Sequence, residues 1–219
     1  LVCTGRPVSI LPEPIRRIEF DGVVAEAGAY VELGGSVIRE SHIPFDLLVE
    51  TARRFVDAGI DVNMESNVHN IELYPSGAPR MFPGAEVVRT LDEFCALASG
   101  LGIAKFCTHG ATPEQLAPIM PFIREHYTAC DLQHGTTEFS MIGFDKGAGI
   151  AAVLEHLDHG RERTFAFGDS ENDLSMAPAV ETFVAMGNAL PGVKKRADYV
   201  TDDAAFDGVA TGLAHFGLI

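Results

Sequence analysis

The sequence predicts an α/β protein with a parallel sheet and an α+β module inserted in its middle, and three observations carry that prediction. Short apolar runs alternate with amphipathic stretches at both ends of the chain. Between Phe45 and Ile142, runs that read as paired strands interleave with helices. After the apolar run 163–167, an acidic turn reads Phe167-Gly168-Asp169-Ser170-Glu171-Asn172-Asp173-Leu174-Ser175-Met176, which places carboxylates at the carboxyl end of a strand. The 219 residues suffice for one large domain or two small ones, and 47% hydrophobic with 21% charged residues is the composition of a chain that buries a core.

Taken in order, Leu1 to Thr4 reads as the end of a strand, followed by a turn and a helix through about Ile18, with Pro7 suited to its first turn. Val23 to Glu26 is the next strand, and Ala29–Leu33 with Ser36–Glu40 form a hairpin around Gly34-Gly35. The inserted module starts with a helix over 45–58 and strands over 61–67 and 69–74, then a stretch rich in Pro and Gly. It continues with a helix over 91–100, a strand over 103–108, a helix over 113–126 and strands over 128–133 and 137–142. After Lys146 strict alternation returns: a helix to about His159, a strand over 163–167, a helix from Ser170 and a strand over 181–186. A short helix over 191–196, a strand over 198–201 and a last helix to about Phe216 follow. The expected division is therefore a split core, 1–43 with 139–219, around an insert, 44–138.

Charge and cysteine usage narrow the function classes. A formal charge of -15 and a pI near 4.8 argue against nucleic acid or an anionic membrane surface as a partner. An anionic small substrate would need a local positive site or a metal. Cys3, Cys95, Cys107 and Cys130 form no CxxC pair and no metal-ligand spacing, so they are expected to be reduced and mostly buried. No apolar run is long enough to span a bilayer and no secretory signal is visible, and the expected location is cytoplasmic.

Three short segments carry chemistry. In the acidic turn two like charges repel unless a hard divalent cation joins them, and Mg2+ takes one or two carboxylates with waters and a phosphate. The competing account is that Asp173 completes a capping box with Ser170. The Thr4 hydroxyl and the backbone N–H groups of Gly5 and Arg6, between a strand and a helix, could grip a phosphate oxygen, or Thr4 could be a helix cap. Lys146 heads a helix, where the helix dipole disfavours a cation, so an anionic partner would explain it better than solvent alone. Together they suggest a phosphoryl site made of a hydroxyl, a lysine and a carboxylate cradle for Mg2+.

These segments resemble the haloacid dehalogenase superfamily of phosphatases, in its Cof-type branch with a class IIB cap. Thr4-Gly5-Arg6-Pro7 is similar to the family's second motif, Lys146-Gly147 to its third, and Gly168-Asp169 with Asn172-Asp173 and Met176 to its fourth. The tail through Ala185-Met186-Gly187-Asn188-Ala189, Lys194, Ala197-Asp198-Tyr199-Val200-Thr201 and Asp207-Gly208-Val209 is similar as well. The resemblance implies a Rossmann-like core and a cap that chooses the substrate, a small phosphorylated metabolite. It implies that Thr4 binds the transferring phosphoryl group, Lys146 neutralises it and orients the nucleophile, and Asp169 ligates Mg2+. Asn172 and Asp173 would support phosphate and metal through side-chain or water contacts.

Two departures stand out. The family's first motif, Asp-x-Asp-Gly-Thr after an apolar strand, supplies the nucleophile and is not in this sequence; chain order places it roughly 30 to 40 residues ahead of Leu1. Asp21, in Phe20-Asp21-Gly22, lies after the second motif and is assigned to a turn. Ala27 stands where the family commonly has Asn before Gly-Ala. The expected function is a Mg2+-dependent phosphatase acting through an aspartyl-phosphate. The alternatives are a catalytically inactive protein that binds a phosphorylated ligand, and a phosphotransferase such as a hexose phosphate mutase. Among cap residues Glu65, Asn67 and His69 are assigned to strand or turn surface, and the oligomeric state is left open.

Overall fold

The computed structural model describes residues 1–132 and 135–219, which divide into two compact units, Leu1–Phe144 and Asp145–Ile219. In the first unit β1 (Val2–Cys3) runs parallel to β2 (Gly22–Ala25), Val2 lying opposite Val23. The connection is not the single helix expected through Ile18 but a 3-10 turn at Val8–Ile10 and a one-turn helix, α1 (Glu13–Arg16). Pro12 is the reason, because a proline disfavours helical geometry in the preceding residue, here Leu11 at φ -60° and ψ 133°, while Pro14 sits in the first turn of α1 where proline is tolerated. β3 (Tyr30–Leu33) and β4 (Ser36–Glu40) follow antiparallel, giving the order β1-β2-β3-β4. Gly34 and Gly35, at φ 57° and 77°, supply the two left-handed residues that their tight hairpin demands.

The remainder of this unit is a six-stranded sheet with helices on one face. α2 (Phe45–Ala58) sets Leu48, Thr51, Ala52 and Phe55 on one buried side at helical spacing, and Gly59 ends it with φ 65°. Then come β5 (Val62–Glu65), β6 (Ile71–Leu73), β7 (Glu86–Val88), α3 (Leu91–Ala98), β8 (Lys105–His109), α4 (Pro113–Leu116), α5 (Met120–His126), β9 (Tyr127–Asp131) and β10 (Thr136–Met141). The sheet order is β7-β6-β5-β8-β10-β9. β7 lies where only a loop was expected, and the helix expected over 113–126 is two helices separated at 117–119, with Pro121 in the first turn of α5. The strand expected to reach 133 ends at Asp131, and Gln133 lies outside the described residues.

Alternation along these strands produces two unlike faces. Val62, Met64, Ile71, Leu73, Phe106 and Phe139 join Phe55 and Phe94 in the apolar core, where Phe106 and Phe139 stack with ring centroids 4.9 Å apart. Asn63, Glu65, Glu72, Lys105, Cys107 and Glu138 occupy the alternate positions and are also buried. A polar face removed from water must satisfy itself internally.

The second unit is a parallel sheet with short helices. α6 (Lys146–His156) leads to β11 (Phe165–Gly168), a 3-10 stretch at Glu171–Ala179, β12 (Thr182–Ala185), α7 (Pro191–Arg196), β13 (Tyr199–Val200), a 3-10 turn at Ala204–Phe206 and α8 (Gly208–His215). β11, β12 and β13 pair in parallel in that order. The α-helix expected from Ser170 is a 3-10 stretch with Pro178 inside it. Among the described residues no helix is long and apolar enough to cross a membrane.

Candidate functional site

In the second unit Lys146, Asn172 and Asp173 form one buried constellation. Lys146 occupies the first turn of α6 behind Asp145, whose carboxylate caps the helix by accepting from the Ala148 N–H at 2.8 Å. The Lys146 Nζ donates to Asp173 Oδ1 at 2.5 Å and to Asn172 Oδ1 at 3.0 Å, with Lys146 6% and Asp173 4% exposed. The other Asp173 oxygen accepts from the backbone N–H groups of Asp169 at 2.8 Å and Ser170 at 3.0 Å, and from the Ser170 hydroxyl. Burial pushes the Asp173 carboxyl up, but the Lys146 ammonium and these donors outweigh it and hold the acid below its ordinary range. The capping box considered for Ser170 and Asp173 is therefore real, and the same carboxylate also anchors the lysine.

Glycines let these parts approach. A Cβ on Gly168 would sit 2.5 Å from the Asp173 Cβ, and one on Gly147 would meet the Ser175 carbonyl oxygen at 2.1 Å. Asp169 follows β11 directly and is exposed, with Asn188 Nδ2 donating to its Oδ2 at 3.2 Å. Burial, followed by the nearby Asp173 charge, raises its carboxyl above the ordinary range. Asn188, whose Oδ1 accepts from the Ala204 N–H at 3.1 Å, orients Asp169 from the loop after β12. The sequence contained Asn188 in a motif without marking this contact.

The donor set bears on Mg2+. Asp169 offers a hard carboxylate with room for a further ligand, whereas both Asp173 oxygens already serve protein donors. Among the described residues no three His, Cys, Asp or Glu side chains are grouped to hold a metal by themselves. One exposed carboxylate with an oxygen to spare fits an ion that keeps several waters and binds through phosphate oxygens, as Mg2+ does.

Thr4, Gly5 and Arg6 lie in the first unit, at the carboxyl end of β1. The Thr4 Oγ1 accepts from the Arg6 N–H at 3.1 Å, so this amide turns back on the threonine. The loop is tied to the one after β2, since the Ala27 N–H donates to the Thr4 carbonyl at 3.2 Å and the Glu26 N–H to the Arg6 carbonyl at 3.1 Å. Glu26 and Ala27 have φ of 50° and 52°. That left-handed geometry costs an alanine about 1–2 kcal/mol and is one that asparagine tolerates. Glu26 is 1% exposed; its Oε2 accepts from Asn67 Nδ2 at 3.1 Å and its Oε1 has no partner. Burial pushes its carboxyl up to about 8, with the Lys105 charge pulling the other way.

The polar face of the six-stranded sheet corrects the surface assignment of Glu65. Glu65, 5% exposed, pairs with Lys105 at 2.9 Å, and Lys105 also holds Glu138 at 2.6 Å. Asn67 is half-buried and clamps Glu26 and the Val8 N–H, the latter at 2.8 Å, while the His69 carbonyl accepts from the Ser66 hydroxyl. Cys107 is buried, with its Sγ 3.1 Å from Glu65 Oε1 and 3.3 Å from His109 Nε2; Cys3, Cys95 and Cys130 are half-buried.

The geometry can be set beside known proteins. Over 147 residues, 67% of this chain, it is 34% identical to YkrA of Bacillus subtilis strain 168, a protein named as a candidate phosphatase. Over 81 residues, 37% of the chain, it is 43% identical to the 5-amino-6-(5-phospho-D-ribitylamino)uracil phosphatase YcsE of the same organism. These matches span 49% and 32% of the two relatives, so the chain spans about half the length of the first and a third of the second. The structure of BT4131, described as a subclass IIB sugar phosphatase of the haloacid dehalogenase (HAD) superfamily, superposes with a TM-score of 0.83 at 26% identity, covering 99% of this chain and 85% of that one. The family model for haloacid dehalogenase-like hydrolases matches residues 1–213, and with nearly the whole sequence accounted for the chain belongs to that family.

Proposed function

We propose that the protein is a Mg2+-dependent phosphatase of a small phosphorylated metabolite, with 1–43 and 139–219 as its core and 44–138 as its cap. The observation that carries this is the lysine held at a helix start by Asp173 and Asn172, beside the exposed carboxylate of Asp169. Such an ammonium is charged, desolvated and fixed in place, so it stabilises negative charge on a phosphoryl group without reorganising. Asn172 limits the lysine's freedom, and Asp173 aims it. Thr4, with the Gly5 backbone N–H, takes the role of hydroxyl and amide donor to phosphoryl oxygens, whereas the Arg6 N–H expected to share it is turned onto the Thr4 Oγ1.

Mg2+, held through Asp169, would supply a Lewis acid for the phosphoryl oxygens. Transfer would run through an aspartyl-phosphate on an aspartate of the first motif, which this sequence does not contain. The carboxylate oxygen bonds to phosphorus as the alcohol leaves, and water then cleaves the acyl phosphate. In the protein carrying that motif, Asp169→Ala should abolish metal-dependent release of phosphate from a phosphomonoester, and Lys146→Ala should lower kcat by about 10^2 or more. Near-normal turnover in either variant would overturn these roles.

A further inference from the structure

We propose that Glu26 and Asn67 form a latch, which docks the loop 66–69 onto the turns that follow β1 and β2 while Glu26 carries its proton and releases it when that proton is lost. The Asn67 Oδ1 accepts from the Val8 N–H at 2.8 Å, and its Nδ2 donates to Glu26 Oε2 at 3.1 Å. The Ser9 hydroxyl adds a third bond, to the Ser66 carbonyl at 3.2 Å. Asn67 stands in the segment proposed as cap, with Val8 and Glu26 in that proposed as core. The latch lies within the first unit, however, and does not depend on that reading.

The loop is built to move as one piece. The Ser66 hydroxyl accepts from the Val68 and His69 N–H groups at 3.2 and 3.3 Å and donates to the His69 carbonyl at 2.8 Å, so the turn holds its own shape. Val68, next to Asn67, is 65% exposed and gives the loop little apolar anchorage. A loop attached through hydrogen bonds of this kind can open without unfolding the sheet behind it. The orientation of the Asn67 amide is settled as well: the Val8 N–H can only donate, so it takes the oxygen and leaves the amide N–H for Glu26.

Glu26 is the member that can change state. It is 1% exposed, and its Oε1 is buried with no hydrogen-bond partner. With its proton the side chain is neutral, and the one bond from Asn67 suffices to hold it. Without the proton, a carboxylate served by a single donor is far harder to keep from water. Among the described residues the groups whose charges bear on it are Lys105 on β8, Glu65 on β5 and Glu40 on β4, with the Tyr30 hydroxyl on β3. Lys105 attracts the carboxylate but is committed to Glu65 at 2.9 Å and Glu138 at 2.6 Å, and the acids repel it. Burial therefore prevails, and the docked carboxyl is pushed up to about 8.

Undocked and hydrated, the same carboxyl ionises near 4.5, so the open form gains on the docked one by about tenfold for each pH unit from 4.5 to 8 and by nothing further above 8. A loop held by packing or by permanent hydrogen bonds alone has no such dependence.

The test is amide hydrogen exchange by NMR on the full chain at about pH 5.5 and about pH 7.5, with intrinsic rates divided out, read at Val8 and at Phe55, which is fully buried within α2. Protection at Val8 should fall by about a hundredfold between the two pH values and stay well below that of Phe55. In Glu26→Gln, which has no proton to lose, Val8 should keep its protection at both. Asn67→Ala, which removes the acceptor, should leave Val8 weakly protected at both with Phe55 unchanged. A Val8 protection independent of pH in the wild type, the same fall in Glu26→Gln, or Val8 as well protected as Phe55 at the higher pH, the sign of a site that opens only with the whole unit, would each overturn the proposal.

Discussion

Lys146 shows how one residue can look misplaced until its partner is seen. A cation in the first turn of a helix opposes the helix dipole, and here Asp173 at 2.5 Å compensates it. Breaking such a buried pair by removing one member costs about 3–5 kcal/mol, so activity losses in Lys146 variants need a check of folding alongside. Glu26 shows the opposite case, a carboxyl buried without an ion-pair partner of its own. In the unfolded chain it ionises near 4.5, whereas the fold keeps it protonated to about 8. Its contribution is therefore most favourable below pH 4.5 and is lost as pH rises toward 8. Glu26→Gln should raise stability by on the order of 3 kcal/mol at pH 8 and leave it unchanged at pH 4, read from urea unfolding at both values. A gain of equal size at both pH values would show that packing and not ionisation was responsible.

At the scale of elements, proline decided most departures from expectation. The helix expected through Ile18 broke at Pro12, and the stretch after Ser170 stayed 3-10 with Pro178 inside. Where proline was absent and apolar residues fell at helical spacing, as in α2, the sequence was sufficient. β7 was missed because its three residues emerge from a Pro- and Gly-rich stretch and are held by pairing with β6. The turn between β11 and the 3-10 stretch is the element on which the site depends. Gly168→Ala would press a methyl group against Asp173 and displace both the carboxylate and Lys146. A loss of about 2 kcal/mol in stability together with weaker metal-dependent turnover is expected, and wild-type values for both would show that the turn has slack.

Over the whole molecule, 31 acidic against 16 basic residues leave a charge of -15. Like charges on a compact chain repel, and salt screens them over a Debye length that shrinks from about 30 Å at 0.01 M to about 8 Å at 0.15 M. Raising sodium chloride across that range should raise Tm by a few degrees, and a flat or falling Tm would mean that paired charges such as Lys105 with Glu65 and Glu138 dominate instead.

The sequence by itself determined the α/β class, the hairpin at Gly34-Gly35, the acidic turn and the family, because each is written in local spacing or in a contiguous motif. Only the tertiary structure decided that Asp173 is committed to Lys146, that Asn188 orients Asp169, and that Glu65, Lys105 and Glu138 form a buried network where surface was expected. Those partners lie 19 to 40 residues apart in the chain. An alternating strand reads the same whether its polar face meets water or protein, and long-range packing settles which.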